Sequence, residues 1–102
     1  MDEQEISKYL AVQAEATSLA RETASYLSED SAHFALDGMF EVGEPYAALE
    51  TCWDLIDDDE LVVPSELVEK VRAFLVEYIS NPDPVFIDIL DDAAARATAA
   101  AA

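Results

Sequence analysis

His33 is the only histidine and Cys52 the only cysteine in this chain. Together they are the raw material of a nucleophilic pair, in which an imidazole takes the proton of a thiol. No Ser or Cys stands at a recognisable spacing from His33, and Cys52 lies in an apolar, helical context. The residues therefore predict a histidine at the surface or its rim and a buried, structural thiol, because free cysteine is among the most buried residue types. A lone cysteine also closes no internal disulfide. The run Asp57-Asp58-Asp59-Glu60 invites a calcium reading, for which an EF-hand loop needs oxygen ligands at positions 1, 3 and 5, Gly at 6 and Glu at 12. Counted from Asp57, the last three of those positions hold Leu61, Val62 and Val68, so the motif fails. One Cys and one His give no zinc spacing. Gly38 and Gly43 belong to no glycine-rich phosphate loop. With 23 Asp and Glu, no two carboxylates single themselves out as general acid and base. The expectation is a protein without catalytic residues, cofactor or metal.

What remains is the charge itself. Against 23 acids stand 5 Lys and Arg, a net of −18, where solubility of a small domain asks for only about 2–8 in magnitude. Such a surface repels nucleic acid and anionic lipid. It attracts the basic face of a protein and speeds encounter with it. Apolar residues make up 52% of the chain, including four Tyr, four Phe and one Trp, which separates it from a disordered acidic tail. Met1-Asp2-Glu3 opens no basic signal region, and no apolar run approaches ~18 residues, so neither a secretory leader nor a membrane span is expected and the expected address is cytoplasmic.

These side chains must be carried by helices. Glycine is scarce, nothing alternates cleanly with period two, and apolar residues recur at spacings of three and four. A first helix is expected from about Glu3 to Leu27, with the stripe Ile6, Tyr9, Leu10, Gln13, Thr17, Ala20, Ala24 and Leu27. Ser28 ends it and caps a second, from about Glu29 to Val42. That helix buries Ala32, Ala35, Leu36, Met39 and Val42, with Phe34 or Phe40 added. Gly43 suits the position just past a helix end, and Pro45 the first position of the next. The third helix, to about Ile56, presents Tyr46, Leu49, Trp53 and Ile56, widened by Ala48, Cys52 and Leu55. Tyr46, Leu49 and Trp53 at this spacing predict core rather than binding site. The acids Asp57 to Glu60 at its end oppose the helix dipole, a local cost that hints at use. Pro64 breaks the chain, Ser65 is expected to cap a fourth helix from about Glu66 to Ile79, and Asn81-Pro82-Asp83-Pro84 breaks it again before a fifth. The expected fold is all-α, a small bundle of about five helices with short loops. It is expected as one domain over residues 1–102, with 93–102 an Ala-rich extension, helical or frayed.

The segment from Ser31 to Tyr78 also resembles the MafI-type immunity proteins of bacterial toxin–immunity loci. The likeness rests on Phe40-Glu41-Val42-Gly43-Glu44, close to that family's Gly-Glu turn. It continues in the Ala-Leu-Glu helix with a central Cys, Tyr46 to Ile56, then an acidic stretch and the connector Val63-Pro64-Ser65. It covers about half the chain; Pro45 and the segment after Tyr78 differ from the pattern. The resemblance implies a non-catalytic antitoxin that binds a cognate toxin domain, often a nuclease-like enzyme with a basic cleft, and blocks it. The partner-binding residues expected under that reading are Glu41, Glu44, Asp54, Asp57, Asp58, Asp59 and Glu60. The alternative from another class is a helical adaptor, secretion chaperone or regulator that takes a partner helix in an apolar groove. The oligomeric state stays open.

Overall fold

The computed structural model describes residues 2–101, with the side chains of 38–42 outside the description. Five helices follow one another: α1 (Glu3–Ala24), α2 (Glu29–Val42), α3 (Pro45–Asp58), α4 (Ser65–Tyr78) and α5 (Pro84–Ala101). Among the described residues there is no strand. Long-range contacts fix their directions. Cys52 of α3 reaches Ala20 of α1, Lys70 of α4 reaches Glu22 of α1, Arg72 of α4 reaches Asp91 of α5, and Arg96 of α5 reaches Leu61 beyond α3. The chain thus runs up, down, up, down, up, an all-α bundle with short loops. The helix α3 is its centre, touching α1, α2 and α5.

The sequence rules explain where the helices begin and end. Asp2 caps α1, its carboxylate accepting from the Glu5 amide at 2.8 Å. The Ser28 hydroxyl accepts from the Ser31 amide at 3.2 Å, the expected cap of α2. Gly43 takes φ +66°, and Pro45 opens α3, so the tight α2–α3 hairpin forms as the spacing predicts. Two expectations fail here. The helix α1 stops at Ala24 rather than Leu27, because the Ser25, Tyr26 and Leu27 amides turn back onto carbonyls three residues earlier. Ser65 is the first residue of α4 and makes no cap; Pro64 holds the cap position, and its carbonyl accepts from Leu67 and Val68. The Ala-rich segment is helical to Ala101, with Ala93 fully buried against the core.

Leu49, Trp53 and Ile56 of α3 are buried, packed with Leu19 and Ala20 of α1, Val71, Phe74 and Leu75 of α4, and Phe86 and Leu90 of α5, while Cys52 is buried with Ala24 of α1 and Ala35 of α2. Tyr46 is half-buried, its ring tilted against Phe74 and Phe86. The expected α3 face is therefore the core face. The expected α1 stripe is buried only in its second half, where Ala20 and Ala24 are buried and Gln13, Thr17 and Leu27 half-buried. Ile6, Tyr9 and Leu10 are 44–60% exposed, and burial begins only at Val12. The cause is length: α1 has 22 residues against 14 in α3 and α4, an overhang of about 12 Å at 1.5 Å per residue. Phe34 is also exposed, contrary to its optional place in the core, and the core positions expected at Met39, Phe40 and Val42 lie outside the described residues. Among the described residues no helix is long and apolar enough to cross a membrane.

Candidate functional site

The acids of α3 are set by helical period. Asp54 follows Glu50 by four residues, and Asp57 and Asp58 follow Asp54 by three and four, so one face carries all of them, while Leu49, Trp53 and Ile56 carry the buried face. Glu50 and Asp57 are half-buried; Asp54 and Asp58 are exposed. Like charges four apart on a helix cost about 0.2–0.5 kcal/mol per pair, and the ridge holds two such pairs, Glu50–Asp54 and Asp54–Asp58.

A second segment adds to this ridge. Asp83, in the loop before α5, caps that helix by accepting from the Val85 amide at 2.9 Å. Its charge also reaches α3. Burial raises the Glu50 carboxyl above its ordinary range, and Asp83 and then Asp54 raise it further. Asp54 is raised first by desolvation, then by Asp58, Asp57 and Asp83. The Tyr46 phenol is pushed up by burial, Glu50 and Asp83. Each charge that perturbs these groups is an acid. The salt bridges Lys70–Glu22, Arg72–Asp91 and Arg72–Glu69 lie on α1, α4 and α5 instead.

Of the residues expected from sequence, Asp54 and Asp57 lie on this ridge and the other described ones at its two ends. Glu44 precedes α3, exposed and without a side-chain capping bond. Asp58, Asp59 and Glu60 are exposed at the far end, about 21 Å away by helical rise. They make one ridge only because Glu50 and Asp54 stand between. Glu41 lies outside the described residues. Sequence reasoning missed Glu50 and Asp83. The spacing from Asp54 signals Glu50; for Asp83 the only signal is its place before Pro84, which marks a cap rather than a neighbour of α3.

The acidic run has its own backbone geometry. Glu60 sits at φ +49°, its amide donates to Asp57 O at 3.0 Å, and the Leu61 amide donates to Ile56 O at 2.9 Å. This pair of bonds is a Schellman ending, whose left-handed residue is usually Gly. Leu61 packs on the core, and its carbonyl accepts from Arg96 Nε at 3.0 Å. The run is thus held in place at both ends of its turn.

No family model, no characterised protein and no solved structure matches this chain.

The other chemistry-bearing residues are positioned as follows. Cys52 is fully buried, its thiol 3.6 Å from Ala20 O, and burial pushes its pKa up to about 11. That is the reverse of what an activated thiolate requires. His33 is exposed on α2. Among the described residues, no three side chains of metal-ligating type are grouped to hold an ion.

Proposed function

We propose that this chain is an immunity protein, an antitoxin that binds a basic, nuclease-like toxin domain through the acidic ridge of α3 and blocks it. The observation that carries the reading is the convergence of Glu50, Asp54 and Asp83 from two elements, continuous with Asp57 and Asp58. A natural sequence that retains mutually repelling acids on its central helix gives up stability there. A partner's Arg and Lys would relieve that repulsion on binding and gain charge-assisted hydrogen bonds. The Gly-Glu turn and Ala-Leu-Glu helix, by which the chain resembles the MafI-type immunity proteins, support the same reading. The toxin is the cognate partner; nucleic acid and membranes are not partners of so acidic a surface.

The test is capture from lysate of the source cell at low and high salt, using the chain and a variant with Asp54, Asp57 and Asp58 changed to Lys. The expected outcome is one basic protein held at low salt, weakened at high salt, lost with the variant, and inhibited by the chain in an assay of its enzyme activity. A captured protein that is not inhibited, or is held equally by the variant, contradicts the proposal.

A second reading has its own observation. Between α4 and α5 lies a mainly apolar groove of about 390 Å³ lined by Leu75, Val76, Ile79, Pro82 and Ile87 together with Arg72 and Ser80, with Val76 88% exposed. An adaptor that takes an apolar partner segment would use this groove, and its complex would survive high salt.

A further inference from the structure

We infer that the cleft between the amino-terminal parts of α1 and α3 is the seat of an arginine side chain of the partner protein. The inference rests on the partner-binding reading above and names the chemical group that the partner inserts. The cleft has a volume of about 540 Å³ and is lined by Tyr9, Gln13, Glu44, Tyr46 and Glu50, among others. That is the size of an ordinary ligand pocket, enough for a side chain and the backbone that carries it.

Its lining matches a guanidinium group by group. Two tyrosines offer aromatic surface. Tyr46 is fixed by its packing on Phe74 and Phe86, and Tyr9 is held by the Gln13 amide, which donates to its hydroxyl at 2.9 Å. Glu44 and Glu50 bring two carboxylates from the start and the middle of α3. A guanidinium is planar, weakly hydrated and forked, so it stacks on a ring while donating in the plane to a carboxylate. A lysine ammonium, compact and strongly hydrated, gains less from the rings. Ile6 and Leu10 lie on the same face of α1 as Tyr9 and Gln13 and are exposed. They give the arginine's neighbours in the partner an apolar surface to cover.

The occupant is another protein rather than a second copy. Within the chain each of the three arginines is already engaged, Arg72 with Asp91, Arg96 with Leu61 O, and Arg21 as well. Two copies, each at −18, also repel.

The test is an NMR titration of the full chain with N-acetyl-arginine methylamide, and in parallel with N-acetyl-lysine methylamide. The expected result is saturable shifts of the Tyr9 and Tyr46 rings and of the Glu44, Ala47 and Glu50 amides. The lysine compound should bind at least about threefold more weakly, and Glu50→Gln should weaken arginine binding by about three- to tenfold. Tyr9→Ala should weaken it as well, and because Tyr9 is 55% exposed that variant keeps the fold. Equal responses to both compounds, shifts spread evenly over Asp57 to Asp59, or indifference to both substitutions would overturn the inference. The two proposals fail separately. A basic protein captured equally well by the Tyr9→Ala, Glu50→Gln double variant leaves the antitoxin reading standing and overturns the arginine seat. Arginine binding as expected, with no protein captured, sinks the antitoxin reading and leaves the cleft's preference intact.

Discussion

Replacing Glu60 by glycine should make this protein more stable. Glu60 is the left-handed residue that ends α3, at φ +49°. A side chain in that region brings Cβ against the backbone, a cost of roughly 1–2 kcal/mol that glycine does not carry. Glycine also gives up more freedom on folding, about 0.5–1 kcal/mol, so the net gain should be about 1 kcal/mol. Removing a negative charge from a helix carboxyl end acts in the same direction. The two bonds of the turn, Glu60 N to Asp57 O and Leu61 N to Ile56 O, are backbone bonds and survive the change. For a domain near this size, a gain of that order raises Tm by about 4–8 °C. Urea unfolding followed by circular dichroism measures it, with an unchanged m-value required. Glu60→Gln is the control, because it removes the charge and keeps the Cβ. If Glu60→Gly gains no more than Glu60→Gln, backbone strain is not what Glu60 carries, and the account of this turn is wrong. If the gain appears and partner capture falls for both variants, stability at this position has been traded for binding.

Two further outcomes follow from the buried and crowded groups. Glu50 and Asp54 have folded pKa values above their ordinary ones, so between the two values the folded state holds more protons than the unfolded state. Their contribution is favourable at low pH and is lost as pH rises through the folded pKa, so Tm should be higher near about pH 5 than at pH 7, and Glu50→Gln should flatten the slope; a Tm that falls steadily from neutral pH downward would contradict this. Cys52, buried and with its thiol raised to about 11, should resist a thiol-specific reagent at mildly alkaline pH in the folded protein and react at once in denaturant; rapid labelling of the native chain would mean that the α1–α3 contact opens.

The helices were legible because their punctuation is local. Gly43 and Pro45, Pro64, and the Asn81-Pro82-Asp83-Pro84 break each act within a few residues, and the α3 core face follows from period alone. What period could not supply is the length of the neighbours. Ile6, Tyr9 and Leu10 have the spacing of a buried stripe, yet they lie where the shorter helices leave α1 uncovered and stay exposed, Tyr9 at the edge of the cleft with α3. The site was half legible for a similar reason. Asp54 and Asp57 to Glu60 are near in sequence and near in space. Asp83 joins them only because α5 returns alongside α3, and no single-sequence pattern encodes that pairing. Tyr9 and Tyr46 illustrate the same limit: read as core positions of two different helices, they meet across a cleft.

Recognition of a basic protein is proposed to rest on the local ridge on α3 and not on the overall charge. It is tested most directly by two matched charge reversals, Asp54→Lys with Asp58→Lys on the ridge and Glu29→Lys with Asp30→Lys at the start of α2, all four positions being exposed. Both variants change the net charge equally. The measurement is the association rate with the captured basic partner across a salt series. The ridge variant should lose most of its association rate and much of its salt dependence, while the α2 variant stays close to the parent chain. Equal losses in the two variants would show that the charge acts as a whole, and would leave the α3 ridge without its assigned role.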